Sequence, residues 1–126
     1  MYSARVEAEF SAAHFLSNYH GKCENLHGHN YLVRLWVRGN ELDSGGMLVD
    51  FALLKKLLKE ILDTLDHSNL NDMELFQNDP SAERIAKYVY EKAMEKFREL
   101  GIDIKLLWAA DVFENPRSMA RYEGKV

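Results

Sequence analysis

The chain has 126 residues, of which 47% are hydrophobic, and it carries a formal net charge of −4 at pH 7. This length and composition predict one globular domain over residues 1–126 with a core of its own. The negative charge argues against a nucleic-acid binder held by phosphate contacts. A single cysteine cannot form an internal disulfide. Because neither a signal-peptide pattern nor a membrane-spanning stretch is visible, we expect a cytoplasmic protein without a membrane partner.

The N-terminal segment alternates apolar and polar residues, which predicts a half-buried strand. Its apolar set is Tyr2, Ala4, Val6, Ala8, Phe10 and Ala12. Continuing this alternation places His14 on the apolar face, at the end of the strand.

A second strand-like run begins with a segment rich in metal-binding groups, Cys23-Glu24-Asn25-Leu26-His27-Gly28-His29. In an extended backbone His27 and His29 point to the same side, and they share parity with the inward-facing residues that follow. His14, His27 and His29 are therefore all expected to point into the same interior. Three protein ligands and one open position are the usual arrangement of catalytic zinc.

Two other interpretations of these residues stay open at the level of the sequence. In the first, His14 is a satisfied core histidine, and His27 and His29 are solvated rings in a turn. In the second, Cys23 is a fourth ligand, because its spacing from His27 permits a closed, structural zinc site.

Two amphipathic helices are predicted in the middle of the chain. Asp50 is a candidate N-cap, and the leucine-rich pattern after it predicts a helix that runs to about Leu65. A second helix is predicted with Pro80 in its first position and Gly101 just after its end.

The C-terminal part predicts two more strands. Alternate residues of the first strand, which share one face, are Ile104, Leu106, Trp108, Ala110, Val112 and Glu114. Apolar residues on the opposite parity indicate burial on both faces. With a final short strand around Met119, the order ββααββ predicts an α+β domain, in which two helices cover one face of an antiparallel four-stranded sheet. The open edges of such a sheet favour oligomerisation.

Several short motifs follow one another along the chain. They are Phe10-Ser11-Ala12-Ala13-His14, Cys23-x3-His27-Gly28-His29, Leu65-Asp66-His67-x2-Leu70-Asn71, Pro80-Ser81-x-Glu83, and Glu114 followed by Tyr122-x-Gly124. In this order they resemble the 6-pyruvoyl-tetrahydropterin synthase family over essentially the full chain. The resemblance implies the tunnelling fold and an oligomeric barrel, commonly a homohexamer of two trimers with active sites between subunits.

The resemblance also implies a zinc-dependent enzyme of the lyase type that acts on 7,8-dihydroneopterin triphosphate, a small-molecule pterin substrate. By position, His14, His27 and His29 correspond to the zinc ligands, and the substrate's side-chain hydroxyls correspond to the occupant of the open position. Zinc there acts as a Lewis acid that lowers the pKa of what it binds.

The remaining site residues are assigned in the same way. Cys23 corresponds to the general base, and Asp66 with His67 to an acid/base pair. Without the resemblance, Asp66 is a turn residue and His67 complements a helix C-terminus. Glu83 and Glu114 correspond to glutamates that bind the pterin, where a carboxylate accepts two parallel N–H bonds.

The presence of Glu24 beside Cys23 makes more than one pterin product compatible with the sequence. The spacing of Cys23 from His27 is most similar to the branch that forms 6-carboxy-tetrahydropterin in queuosine and other deazapurine biosynthesis. A glutamate at the position of Glu24 is similar to a branch that forms 6-hydroxymethyl-dihydropterin. We favour the first product, because acidic loop residues are usually solvated, and we keep Glu24 as a candidate substrate contact. The alternatives are 6-pyruvoyl-tetrahydropterin as the product and, in another class, a non-catalytic zinc-binding oligomer.

Overall fold

The computed structural model describes residues 1–14, 25–76 and 79–124, with the backbone but not the side chain of His27. Its strands and helices are β1 (Tyr2–His14), β2 (His27–Gly39), α1 (Phe51–Asp63), β3 (Ser68–Asn69), α2 (Ala82–Leu100), β4 (Leu107–Asn115) and β5 (Ser118–Glu123). The predicted residues Cys23 and Glu24 lie outside the described part of the chain.

The strands form one five-stranded mixed sheet in the order β3-β1-β2-β4-β5. The four long strands pair antiparallel as predicted. The prediction of a purely antiparallel, four-stranded sheet is nevertheless wrong, because β3 pairs parallel with Ala12 and Ala13 of β1. A strand of two residues is too short for hydrophobic periodicity to reveal.

Both helices pack on one face of this sheet, as predicted. Their buried side chains share a single hydrophobic cluster with the inward-facing residues of the sheet. The helix side of this cluster includes Leu54, Leu57, Leu58, Ile61, Ile85, Ala86, Val89 and Phe97, and the strand side Val6, Phe10, Val33, Leu35, Ala110 and Val112. None of the helices in the described ranges is long and apolar enough to cross a membrane.

The two helices begin and end at recognisable caps. The Asp50 carboxylate accepts the N–H of Ala52 at the start of α1, as predicted. Pro80 is not the first residue of α2, because the Ser81 hydroxyl caps the helix by accepting the N–H of Arg84. Gly101 ends α2 with a φ of 71°, a left-handed conformation that glycine adopts without strain.

Strand β4 differs from its prediction in two ways. Residues Ile104–Leu106 form a 3₁₀ turn rather than the start of the strand, because the side chain of Asp103 accepts the N–H of Lys105. The register with β2 also shifts between Trp36 and Val37. This bulge places Trp108 on the face opposite the helices, where its ring centroid lies 5.5 Å from that of Trp36.

A buried carboxylate on that second face of the sheet forms hydrogen bonds to two neighbouring strands. Asp111 is 1% exposed, and it accepts a 2.8 Å hydrogen bond from Nε1 of Trp36. Arg121 of β5 donates to both of its carboxylate oxygens, at 2.6 and 3.0 Å. These bonds raise the pKa of Arg121 above its ordinary value. They join β2, β4 and β5 through one carboxylate.

The chain packs closely where it leaves β5. The N–H of Gly124 donates to the carbonyl of Trp108 at 3.1 Å. A Cβ at position 124 would overlap the hydroxyl of Tyr90, which reaches across from α2. Burial raises the pKa of that hydroxyl. A side chain at position 124 would therefore require Tyr90 to move, and the glycine here accommodates close approach of a side chain rather than a special backbone angle.

Candidate metal and acid/base site

His14 lies at the end of β1, and a backbone carbonyl contacts one nitrogen of its ring. The residue is 2% exposed, and its Nδ1 lies 3.0 Å from the carbonyl oxygen of Pro80. A carbonyl can only accept, so Nδ1 is the donor of this bond, and in the neutral ring Nε2 then carries the lone pair. Metal-binding histidines commonly donate their second N–H in this way. The contact therefore prepares His14 to ligate through Nε2.

His29 and Glu114 face the same space as His14. His29 pairs with Ala12 of β1, and the two histidine rings meet edge to face with centroids 4.9 Å apart. One Glu114 oxygen lies 4.0 Å from Nε2 of His14. One ligand atom from each of the three residues lies within 4.8 Å of the others. The side chains thus form a three-donor group at one end of the sheet.

The third predicted histidine is described only through its backbone. The β1–β2 register pairs His27 with His14. Its assignment as a metal ligand therefore stays a prediction. The structure brings together His14 and His29 from the predicted trio, and it adds the carboxylate of Glu114, which the sequence assigned to the substrate.

The donor set fits a metal ion of the zinc type. Two imidazoles and a carboxylate form the protein ligands of one common class of catalytic zinc site. With bonds of 2.0–2.2 Å, neighbouring donors in a tetrahedral site lie about 3.4 Å apart. The spacing of up to 4.8 Å among the described donors closes to that value by a shift of about 1 Å or less in each side chain.

Aromatic side chains pack against the histidines of the three-donor group. Tyr31 stacks on Phe10 with ring centroids 4.7 Å apart. Its ring also meets His29 at 5.4 Å and His14 at 5.7 Å, both edge to face. These rings restrict the rotamers of both histidines, so little side-chain entropy remains to be lost when a ligand binds.

Asp66 and His67 form a second group, tied to the backbone of β1. One Asp66 oxygen accepts the N–H of Ser11 at 2.8 Å, and the other lies 3.0 Å from Nδ1 of His67. The N–H of His67 donates to the carbonyl of Ser11 at 2.6 Å. The Ser11 N–H, followed by the hydrogen bond from His67, holds the pKa of Asp66 below its ordinary value, although burial opposes this. Asp66 is thus a carboxylate that orients an imidazole.

His67 has an unusual backbone and an exposed ring. Its φ is 56°, and it is the one non-glycine residue with positive φ in the described ranges. Its side chain is 82% exposed. It lines an open hollow of about 550 Å³ whose wall also includes Ser11, Ala13, Gly28, His29, Asn30 and Asn69. The hollow offers hydroxyl, amide and imidazole groups to a ligand.

The other predicted site residues lie away from the three-donor group or outside the described part of the chain. Glu83 is exposed on the first turn of α2, where it lines a surface groove with Lys87 and Tyr122. It does not belong to the three-donor group formed by the described side chains. Nothing is described for Cys23 or Glu24.

Sequence reasoning missed two backbone contributions to this site. The Pro80 carbonyl sets the protonation of His14, and the Ser11 peptide groups hold Asp66 and His67. Neither had a signal of its own, because almost every residue type carries the same backbone carbonyl and N–H groups. Ser11 was noticed only as a member of a motif, and Pro80 as a motif member and as the predicted first residue of the second helix.

The chain matches a family of enzymes over nearly its whole length. A family model described as 6-pyruvoyl tetrahydropterin synthase matches residues 3–125. The chain belongs to this family.

Similar proteins agree with that assignment. The structure of Caenorhabditis elegans 6-pyruvoyl tetrahydropterin synthase is 32% identical with a TM-score of 0.80, over 98% of this chain and 96% of that one. A 6-carboxy-5,6,7,8-tetrahydropterin synthase from Synechocystis sp. is 36% identical over 92% of this chain and 88% of its own length. A protein of the same name from Haemophilus influenzae is 31% identical over 98% and 99%, respectively.

Proposed function

We propose that this protein is a zinc-dependent enzyme of pterin metabolism. It converts 7,8-dihydroneopterin triphosphate to 6-carboxy-5,6,7,8-tetrahydropterin, with release of acetaldehyde and triphosphate, in the biosynthesis of queuosine-type 7-deazapurines. The observation that carries the proposal is the group formed by His14, His29 and Glu114, within 4.8 Å of one another, in a member of this enzyme family. The relatives named 6-carboxy-5,6,7,8-tetrahydropterin synthase favour this product.

The metal-site residues have separate tasks in this proposal. His14 and His29, with His27 as the proposed third histidine, hold the zinc, which when bound supplies Lewis-acid chemistry at the substrate's side chain. Glu114 offers two carboxylate oxygens to the paired N–H donors on the pterin edge. Glu83 is a second proposed pterin contact.

Proton transfer is assigned in this proposal to His67 and Cys23. Because Nδ1 of His67 lies against Asp66, Nε2 is the ring atom that can accept and return a proton. Cys23 is the proposed general base, and thiolate character from a neighbouring cation or metal would suit it to that role.

We also propose a homo-oligomer, a hexamer of two trimers. Strand β3 covers β1 only at Ala12 and Ala13, so the rest of that edge in the described structure offers backbone groups to a neighbouring strand. An acid/base group works best away from bulk water. A neighbouring subunit over this edge would cover the exposed ring of His67.

Product analysis tests the proposed reaction. Zinc-loaded protein is incubated with 7,8-dihydroneopterin triphosphate, and the products are identified by chromatography and mass spectrometry. We expect 6-carboxy-tetrahydropterin and acetaldehyde in equal amounts. Formation of 6-hydroxymethyl-dihydropterin as the sole pterin product would overturn the proposal.

Two neighbouring variants identify the general base in the same assay. Cys23→Ala is expected to lose more activity than Glu24→Ala. The opposite order would assign the base to Glu24 and favour the hydroxymethyl product.

A second candidate product is 6-pyruvoyl-tetrahydropterin. It is favoured by the likeness to the Caenorhabditis elegans 6-pyruvoyl tetrahydropterin synthase structure. The same assay separates the two, because the pyruvoyl product keeps all the side-chain carbons and releases no acetaldehyde.

A candidate from another class is a non-catalytic zinc-binding oligomer. Metal analysis of Cys23→Ala distinguishes it from the enzyme. Loss of zinc together with the thiol would indicate a closed structural site, whereas retained zinc with lost turnover supports an open catalytic one.

A further inference from the structure

We infer that Glu114 ligates the metal while the site holds no substrate, and leaves the metal when a pterin binds. The pterin part of this inference rests on the proposed function, whereas the metal contact does not. It gives one carboxylate two alternating partners, where the sequence motifs assign it only to the substrate.

The position of Glu114 supports the metal contact. Its oxygen lies 4.0 Å from Nε2 of His14, which is the nitrogen left with the lone pair by the Pro80 contact. Donors of a tetrahedral site lie about 3.4 Å apart. A shift of well under 1 Å would therefore bring this carboxylate and this imidazole onto one ion, which is within the reach of small side-chain rotations.

Charge supports the same contact. The side chain of Glu114 is 29% exposed, and a carboxylate that is partly withdrawn from water is stabilised by a nearby positive charge or by hydrogen bonds. Among the described side chains, His14 is the one basic group at ion-pair distance from it. A divalent ion beside His14 and His29 would supply a positive charge next to Glu114.

The two partners exclude each other for geometric reasons. Two parallel N–H bonds to a pterin use the syn lone pair of each carboxylate oxygen and leave only the anti lone pairs. A metal bound through a syn lone pair therefore competes with the pterin edge for the same position on the oxygen. Substrate binding would thus remove one donor from the metal and open a position there, without any change of oxidation state.

Cobalt replacement tests the metal contact directly. Co²⁺ is bound to the wild-type chain, to Glu114→Gln and to Glu99→Gln, and visible absorption spectra are recorded. We expect Glu114→Gln to shift the cobalt bands and to weaken zinc binding by about tenfold or more in competition with a chelator. The matched control Glu99→Gln changes a carboxylate that is exposed on α2 and has no role in the proposed site, and it should match wild type. An unchanged spectrum and affinity for Glu114→Gln would overturn the inference.

A pterin titration tests the release. Neopterin, which lacks the triphosphate, is added to the cobalt-loaded wild-type chain, and its binding is followed independently by its own fluorescence. We expect the wild-type spectrum to move toward that of Glu114→Gln as neopterin saturates. A spectrum that stays constant at saturation contradicts the release. If neopterin does not bind, this counts against the release, whereas the metal contact is still decided by Glu114→Gln and the proposed function by the product analysis.

Folding of the variants is checked by circular dichroism. Should Glu114→Gln fail to fold, Glu114→Asp replaces it, because the shorter carboxylate keeps the charge but moves the oxygens away from His14. We expect it to bind zinc more weakly than wild type. Zinc affinity and cobalt bands equal to those of wild type would then count against the metal contact.

Discussion

His67 carries backbone strain at the place where the proposed acid/base chemistry occurs. Its φ of 56° lies in the left-handed region, which costs a residue with a Cβ about 1–2 kcal/mol. Hydrogen bonds from its Nδ1 to the Asp66 carboxylate and from its N–H to the carbonyl of Ser11 hold it there. Strain that persists because the surroundings enforce it is frequent at functional sites.

A pair of substitutions separates this strain from the function of the ring. His67→Gly and His67→Ala both remove the imidazole and should both abolish turnover. Only His67→Gly relieves the left-handed backbone, so it should be more stable than His67→Ala by about 1 kcal/mol in urea unfolding. Equal stability of the two variants would show that the conformation is not strained, and full activity in either would remove His67 from the mechanism.

The lowered pKa of Asp66 predicts how stability responds to acid. Because the fold favours the carboxylate form, Asp66 contributes stability above the ordinary aspartate pKa of about 3.9, and this contribution is lost as the pH falls through its lower folded value. Asp66→Asn should therefore lose less stability than wild type between about pH 5 and pH 2. Urea unfolding across this range measures the difference, with the exposed Glu99→Gln as control. Parallel curves for wild type and Asp66→Asn would contradict the prediction.

At this scale the sequence predicted the face of its own strand on which His14 lies, but it did not predict contacts with residues of distant strands. The alternation that placed His14 on the apolar face is a local property of strands, and the structure confirms it. The approach of Glu114 to His14 depends on strands far apart in sequence. Asp111 was missed, although a carboxylate in a strand of apolar residues needs a partner.

Among the elements, strands β2, β4 and β5 depend on the pairing of Asp111 with Arg121. The two partners are unequally buried, since the side chain of Arg121 is 33% exposed and that of Asp111 is 1% exposed. Removing the arginine leaves a buried carboxylate short of donors, whereas neutralising the aspartate leaves a cation that water reaches.

Arg121→Met should therefore destabilise the protein by about 3 kcal/mol, and Asp111→Asn by about 1–2 kcal/mol. The two tryptophans of the chain both lie on this face, so their fluorescence during chemical unfolding reports on it. The reverse order of the two costs would show that burial does not control this pair.

Element prediction succeeded where one repeating pattern dominates and failed where single residues decide. The two helices and the four long strands follow from periodicity and caps. Strand β3 is too short for a pattern, and the bulge at Trp36 and Val37 depends on the partner strand. That bulge moved Trp108 to the opposite face, an outcome that counting alternate residues cannot foresee.

For the whole molecule, the proposed oligomer predicts cooperation between subunits. His67→Ala and Glu114→Gln should each be inactive alone. If sites form between chains, mixed and reassembled subunits of the two variants will contain some sites with both intact side chains, and activity will return. Mixtures that stay inactive, although mass measurement shows mixed oligomers, would place each site within one chain. A monomer at all concentrations would contradict the proposed assembly.

The close approach of Gly124 to Tyr90 has a consequence for natural variation. A side chain at position 124 and the tyrosine at position 90 occupy the same space, so neither position is free to vary independently. Among proteins that share this packing, we expect a residue larger than glycine at 124 only together with a smaller one at 90. The two positions should therefore covary across related sequences, although 34 positions separate them in the chain.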